Sequence, residues 1–252
     1  MQKVSIITTS FNSESTILDT LNSVNNQTYK NIEHIIIDGA SKDNTLQIVN
    51  DNGLRIKKLI SKKDKGIYDA YNKGLDIATG DIVAFLNSDD FYYDNFVIEK
   101  IMEIFKDKSI DACYGDLIYV ERNNTNKITR YWKSKDYKKN LFKKGFSPAH
   151  PTLFLRRSVY QKAGGFNLSY RLAADYEFML RIFNNLNMNS KYIPEILVRM
   201  RNGGATGESI RSIILQNKEI LMALKEHKIK LSYLNFFAHK FINRALQRFE
   251  KI

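Results

Sequence analysis

Short apolar runs alternate with stretches whose apolar residues recur every three to four positions through the first hundred residues. Lys3 to Thr9 reads as a strand, Thr16 to Val24 as a helix, Ile32 to Asp38 as a second strand and Asn44 to Asn50 as a second helix. Ile56 to Ile60 gives a short third strand. From Ile67 to Ala78, the residues Ile67, Ala70, Tyr71, Gly74, Leu75 and Ala78 share one helical face, and Asp81 to Leu86 then forms a buried strand that stops at Asn87. Strands and helices in alternation predict parallel strands linked by crossover helices, an α/β fold with a mostly parallel central sheet flanked by helices.

Further along, Asn95 to Lys106 is expected to be a helix that buries Phe96, Ile98, Ile101, Met102 and Phe105. Ala112 to Val120 reads as a strand, turned at Asn123 to Asn126 into Ile128 to Trp132. The basic, weakly patterned segment Lys133 to Gly145 is expected to be a mobile loop. Thr152 to Leu155 predicts a strand, Ser158 to Ala163 a helix closed by Gly164 and Gly165, and Tyr176 to Asn184 another helix. After Leu234, the residues Phe237, Phe241, Ala245, Phe249 and Ile252 recur at helical spacing, with Lys240, Arg244, Arg248 and Lys251 one position away. An aromatic stripe bordered by cations fits a helix lying on an anionic membrane surface, and equally a face packed on the rest of the chain or on the second subunit of a homodimer. The pattern divides the chain into a domain at 1–207 and a basic amphipathic helical extension at 208–252.

Composition narrows the class. A chain of 252 residues that is 43% hydrophobic can bury a full core. Cys113 is the single cysteine, which excludes an intrachain disulfide and suits a reducing interior. No apolar run approaches the ~20 residues of a membrane-spanning helix, and Met1 leads into a strand pattern instead of a signal peptide. A cytoplasmic protein is therefore expected, soluble or peripheral on the inner face of the membrane. The net charge of +12 calls for an anionic partner: nucleic acid, a membrane surface or a phosphorylated substrate. No recognised DNA or RNA motif accompanies the charge, so nucleic acid is not the expected partner. Neither a Walker phosphate loop nor Gly-x-Gly-x-x-Gly occurs, which argues against an ATPase or a nicotinamide enzyme.

Ligands of an open parallel sheet sit outside the carboxyl ends of its strands, so the residues just after each strand are the first candidates for chemistry. Thr9, Ser10, Phe11, Asn12 and Glu14 follow the first strand, Asp38, Gly39, Ala40, Ser41 and Asp43 the second, and Asn87, Ser88, Asp89 and Asp90 the fourth. Each group alone also fits a turn or a helix cap. Together they predict one cleft. Two adjacent carboxylates repel one another and are easier to maintain with a cation between them and a phosphate-bearing ligand. Hard oxygen ligands favour Mn²⁺ or Mg²⁺, and no His or Cys cluster offers a zinc site.

The runs Val4 to Asn12, Asp38-Gly39-Ala40-Ser41 with Asp43, Asp64 to Gly74, Gly80-Asp81 and Leu86 to Asp90 closely resemble, in order and in spacing, family 2 glycosyltransferases of the GT-A fold. The resemblance extends from residue 3 to about 205. It implies an inverting, metal-dependent enzyme that moves a sugar from a UDP-sugar to a hydroxyl of a glycan, often lipid-linked, in surface polysaccharide biosynthesis. By the same resemblance Thr9, Asn12, Glu14 and Asp38 hold the uracil and ribose, Lys65 and Gly66 lie under the nucleotide and donor sugar, and Ser10, Asn72 and Ser88 complete the nucleotide-sugar set. Asn87 to Asp89 match the Asp-x-Asp motif, whose last carboxylate binds the metal, with Asp90 and His150 as further ligand candidates. Asn87 departs from the motif: a charge is lost, weakening metal affinity, while the amide can still bond the ribose.

An inverting transfer needs a base for the acceptor hydroxyl. Asp175, in Leu172-Ala173-Ala174-Asp175-Tyr176-Glu177, is similar to the family's acidic motif ahead of a Leu-x-x-Arg stretch and is assigned that role. A helix cap is the other reading of Asp175, and Glu177 is the competing carboxylate. His150 can equally be a packed hydrogen-bonding residue. Arg199, Arg201, Asn202, Gly203, Gly204 and Thr206 read as a glycine-hinged loop that closes over the diphosphate, or as a connector. The Gln-x-x-Arg-Trp motif of processive relatives is absent, Trp132 being the only tryptophan, so one sugar per encounter is expected. Two other functions stay open: a non-catalytic nucleotide-sugar binding protein, and a nucleic-acid binder whose affinity falls steeply with salt.

Overall fold

The computed structural model describes residues 1–139, 141–186, 188–203 and 209–249. Strand-helix alternation opens the chain: β1 (Val4–Ser10), α1 (Ile17–Asn25), β2 (Ile32–Asp38), α2 (Thr45–Asn52), β3 (Ile56–Ser61), α3 (Ile67–Ile77) and β4 (Ile82–Phe85). Strands β1, β2 and β4 are buried along their whole length, as their uninterrupted Ile and Val runs require of strands covered on both faces. Then follow β5 (Phe91–Tyr92), α4 (Val97–Ile104), β6 (Ala112–Val120), β7 (Ile128–Trp132), β8 (Phe154–Arg156), α5 (Arg157–Ala163), α6 (Ala174–Asn185), β9 (Ser190–Arg201), α7 (Ile210–Glu226) and α8 (Tyr233–Phe249).

One nine-stranded sheet runs β3-β2-β1-β4-β8-β6-β9-β5, with β7 paired to β6 beside this path. The first four strands are mutually parallel, while β8 is antiparallel to both β4 and β6. Strands β5 and β9 are not predicted by the sequence pattern. Strand β9 buries Ile193, Leu197 and Val198 on the second core, yet Pro194, Glu195 and three basic residues break its alternation. Parallel pairing with the long β6 overrides that local signal. Two expected core positions also move: Phe96 precedes α4 and is 52% exposed, its place taken by Val97, and Ile67 lies exposed at the first turn of α3.

The segment 133–145, expected to be mobile, is pinned at both ends. Asp116, fully buried on β6, accepts hydrogen bonds from Ser134 N (2.7 Å) and from the hydroxyls of Tyr131 and Tyr192. Phe142 then buries its ring in the main core from a short 3₁₀ turn at Leu141–Lys144. Sparse apolar residues hide such tethers from any periodicity.

The two C-terminal helices belong to the body of the protein. Ile220, Ala223, Leu224 and Phe236 share one apolar cluster with Phe178 and Leu180 of α6. The boundary expected between 207 and 208 falls within 204–208, outside the described residues. On α8 the inward face carries Phe236, with Lys240, Asn243 and Gln247 half-buried along it, whereas the expected stripe turns outward, Phe241 being 75% exposed. The side chains of Arg248 and Phe249, and residues Lys251 and Ile252, lie outside the description. No helix among the described residues is long and apolar enough to cross a membrane.

Between β1 and β2, the fully buried His34 holds Nε2 at 2.9 Å from Thr8 Oγ1, and its Nδ1 finds no partner among the described residues. Burial pushes the imidazole from its ordinary 6.5 down to about 3. The unfolded chain therefore takes up a proton that the native state refuses, and stability falls by about 1.4 kcal/mol per pH unit as pH drops through this window. His34→Gln should flatten the pH dependence of urea unfolding between about pH 6.5 and 5, where carboxylates contribute little.

Candidate active site

Parallel register delivers the first three strand ends to one edge. Ser10 lies opposite Asp38, and Ile7 opposite Phe85, so the residues after β1, β2 and β4 emerge side by side. Those after β1 and β4 border a cleft of about 1020 Å³, whereas the expected group after β2, from Asp38 to Asp43, does not line it. Thr9, Ser10, Asn12, Gly66, Asn87, Ser88, Asp89, His150 and Asp175 all line it, together with Phe11, Asp64 and Ile67.

Two carboxylates expected to grip the nucleotide instead build the loops. Asp38 is fully buried and accepts from Ser10 Oγ (3.0 Å), Ser41 N (2.9 Å), Ser41 Oγ (2.5 Å) and Ser61 Oγ (2.7 Å). Those four donors saturate it, and it does not face the cleft. Glu14 accepts from the backbone and side-chain amides of Asn44, both at 2.9 Å, tying the loop after β1 to the start of α2. Asn12 is held in a left-handed conformation (φ 48°) by bonds from its own amide to Ser41 Oγ (2.8 Å) and from Lys42 N to its Oδ1 (2.9 Å). Asparagine tolerates that backbone geometry better than most residues.

Lys65 is exposed beside the cleft and spends its backbone N–H on Asp69 Oδ2 at 3.0 Å, while Gly66 turns the chain into α3 at φ 118°, a value suited to glycine. Asn72 points to the far side of α3, into a smaller pocket of about 560 Å³. There it grips the backbone of Phe166, accepting from its N–H at 2.8 Å and donating to its carbonyl at 2.9 Å. It tethers α3 to the chain before α6 and does not line the larger cleft.

The turn after β4 divides its two carboxylates. Asp90 is fully buried, accepting from Arg201 N at 3.3 Å, and burial followed by the charge of Asp89 pushes its pKa well above the carboxylate range. Burial also raises Asp89, but Arg122 and Arg201 oppose the rise, and Asp89 is the carboxylate presented to the cleft. Arg201 is buried behind the turn: its guanidinium donates to Asp89 O (2.8 Å), pairs with Asp19 and lies 5.0 Å over the Phe91 ring. Arg199 lies 4.8 Å over the Tyr93 ring on the same strand. Both arginines stand on β9, so the expected closing loop does not begin there; Gly204 and Thr206 lie outside the described residues. Tyr71 OH donates to Asn87 Oδ1 at 2.6 Å, which fixes the amide at the head of the turn.

Among the described residues, no three His, Cys, Asp or Glu side chains converge to hold a metal. Asp89, Asp90 and His150 are therefore not a joint ligand set. Asp90 is buried beneath the turn, and His150 packs its ring 5.7 Å from Tyr71 and 5.6 Å from Phe85. Burial lowers the pKa of His150 against the pull of Asp175. Mg²⁺ and Mn²⁺ sites commonly need only one or two carboxylates, the rest coming from substrate phosphates and water, and Asp89 alone at the cleft fits that pattern.

At the other wall, Asp175 accepts a 2.9 Å bond from Tyr68 OH. Burial, then the Asp175 charge, raises Tyr68 well above its ordinary pKa and keeps it a donor. No side chain caps the start of α6, so the capping reading of Asp175 fails. Glu177 is turned away: it is buried and accepts from Arg181 (3.1 Å) and His227 Nε2 (2.9 Å). The strand-end and acidic motifs did not reveal the hydroxyls of Tyr68 and of Tyr71, the latter on a face read as apolar, nor Arg122, which follows β6. Helical periodicity alone could have placed both tyrosines beside Gly66.

The approach to Asp175 is held by Glu219 of α7, which accepts from the backbone N–H groups of Arg171, Leu172 and Ala173 at 2.9, 2.8 and 2.9 Å. Glu219→Gln replaces one acceptor oxygen by a donor among three donors, and each buried N–H left unpaired costs about 1–3 kcal/mol. Urea unfolding should show a loss of that size, with nucleotide affinity unchanged because these groups lie away from the donor end.

The chain matches the model described as "Glycosyl transferase family 2" over residues 5–164. A PGL/p-HBAD biosynthesis glycosyltransferase of Mycobacterium bovis is 31% identical over 210 residues, covering 82% of this chain and 79% of the relative. Among solved structures, S. aureus TarS 1-349 in complex with UDP-GlcNAc superposes with a TM-score of 0.67 at 19% identity, over 97% of this chain and 72% of that one. A mannosyltransferase from Pyrobaculum calidifontis, in complex with GDP-Man and Mn²⁺, gives 0.65 at 15% identity, over 97% and 70%. Strand-end loops gathered on one cleft, the GT-A architecture and the matched motifs agree: the chain belongs to glycosyltransferase family 2 and is a transferase of glycosyl groups.

Proposed function

We propose that the protein transfers a single sugar from a UDP-sugar to a hydroxyl of a glycan acceptor, with inversion at the anomeric carbon and with the help of Mn²⁺ or Mg²⁺. The observation that carries this reading is two carboxylates from separate elements lining one cleft: Asp89 at the end of β4 and Asp175, oriented by Tyr68, at the start of α6. A UDP-GlcNAc complex among the structural neighbours supports the choice of donor. Thr9, Ser10 and Asn12 offer polar groups to the nucleoside, and the 62% exposed ring of Phe11 offers the base an aromatic face.

In the reaction, Asp175 takes the proton of the acceptor hydroxyl as that oxygen attacks the anomeric carbon from the face opposite the diphosphate. The bond from that carbon to the diphosphate oxygen breaks, and the electron pair leaves with the phosphate. A divalent cation at Asp89 would neutralise the departing charge. Arg122 adds a fixed positive charge at the same end, Asn87 and Ser88 keep the turn in shape through Tyr71 and Ser13, and neutral His150 fills the floor between them. Calorimetry of UDP binding with and without Mn²⁺, followed by a panel of nucleotide sugars monitored for slow hydrolysis, tests the reading; no manganese-assisted binding of any nucleoside diphosphate would overturn it.

A further inference from the structure

Donor binding accounts for only part of the charge in the cleft. Among the described residues that line it are seven lysines and arginines against three aspartates, Asp64, Asp89 and Asp175. Arg122 belongs to the donor end, since its charge acts on Asp89. A divalent cation at Asp89 would balance much of the diphosphate. Lys135, Lys240 and Arg244 stand on other elements, and among the described residues none of the three pairs with a carboxylate.

These cations are placed by packing. Gly145, at φ +65°, meets the backbone of α8 so closely that a Cβ there would lie 3.2 Å from Lys240 Cβ, which fixes the helix against the 133–145 segment. Phe236, 1% exposed, roots α8 in the core one turn before Lys240. Lys240 Nζ donates to Asn217 Oδ1 of α7 at 2.6 Å, and Lys135 Nζ lies 4.9 Å over the Phe146 ring. Burial, with the neighbouring charge of Arg244, brings the Lys240 ammonium down to about 8. Lys240 is thus held partly desolvated without an anion, which is unfavourable, while Lys135 and Arg244 stay exposed beside it, and a cluster of this kind is complementary to a negative charge from outside. The aromatic rings of Tyr119, Trp132 and Phe146 line the same part of the cleft and offer flat faces to sugar rings.

We propose that the acceptor carries a phosphate group, held by Lys240 and Arg244 of α8 together with Lys135. Two cations one helical turn apart suit a group with several charged oxygens, and the guanidinium can engage two of them at once. The inference rests on the transferase reading above, since it assigns the acceptor end of the same cleft. The phosphate could belong to a lipid carrier or to the glycan itself, and the test separates these sources.

The protein, saturated with UDP and Mn²⁺ so that the donor end is filled, is titrated with glucose 6-phosphate against glucose, and with n-octyl phosphate against n-octyl glucoside. Binding is followed by calorimetry and by the fluorescence of Trp132, the only tryptophan. At least about tenfold tighter binding of one phosphorylated probe is expected, equivalent to 1.4 kcal/mol; preference in the glucose pair points to the glycan, in the octyl pair to a lipid carrier. Lys240→Gln combined with Arg244→Gln should abolish the preference, Arg244→Lys should keep most of it, and Lys135→Gln, on a separate element, should weaken it alone. UDP affinity should stay within about twofold in every variant, reporting an intact fold. Equal binding of phosphorylated and neutral probes, or a preference that survives the double variant, overturns the inference while leaving the transferase reading in place. Failure of the wild-type protein to bind UDP at all overturns both.

Discussion

Asp175→Asn is expected to slow sugar transfer by about 10²- to 10⁴-fold, the range that a positioned general base contributes. The variant keeps the shape of the site, because an amide oxygen can still accept the 2.9 Å bond from Tyr68. Only the capacity to take a proton is removed. UDP binding in the presence of Mn²⁺ should therefore change by less than about twofold, so the loss falls on turnover. Release of free sugar from a nucleotide sugar, with water as acceptor, provides the assay before any glycan acceptor is known. Unchanged turnover would remove Asp175 from the mechanism. A wild-type protein that binds nucleotide sugars yet never hydrolyses or transfers them would favour a binding protein.

Asp89→Ala should abolish the part of UDP affinity that depends on Mn²⁺ and lower turnover by at least about 10²-fold, as expected when a diphosphate leaves without electrostatic stabilisation. Its neighbour provides the contrast. Asp90 is fully buried and faces Arg201 N from behind the turn, so Asp90→Asn should leave the Mn²⁺ dependence within about threefold of the wild type. Calorimetric titration of UDP with and without Mn²⁺ reads both variants. Equal losses at the two positions would mean that the turn binds its ion as a pair.

Where function depends on strand ends, the sequence is a good guide. The period-two and period-3.6 patterns of residues 3 to 86 are local, and parallel pairing of β1, β2 and β4 follows from them. Strand β9 escaped because Pro194 and Glu195 interrupt its alternation, and only the length of β6 explains why it pairs at all. Within the site, residue type located the cleft but not the direction of each side chain. Asp38 and Glu14 have the chemistry of ribose ligands, yet Ser61 and Asn44, supplied by distant parts of the chain, claim their oxygens. Arg201 looks like a phosphate clamp until the fold buries it against Asp19 and the carbonyl of Asp89. Such outcomes depend on which partners arrive from elsewhere, and no local pattern encodes them.

Under the proposed acceptor site, the docking of α8 beside Gly145 gives different parts of the polypeptide different recognition tasks. On that reading the groups offered to the nucleotide come mainly from the first ninety or so positions, with Arg122, whereas the far wall combines residues of β6, β7 and 133–151 with segments that follow residue 164. A lineage could thus alter its terminal helices and acquire a new polymer to decorate, keeping its donor supply untouched. Chimeras exchanging 209–249 between relatives offer a direct route to reprogramming what is glycosylated, provided that each graft carries a counterpart of Glu219 to brace the approach to Asp175.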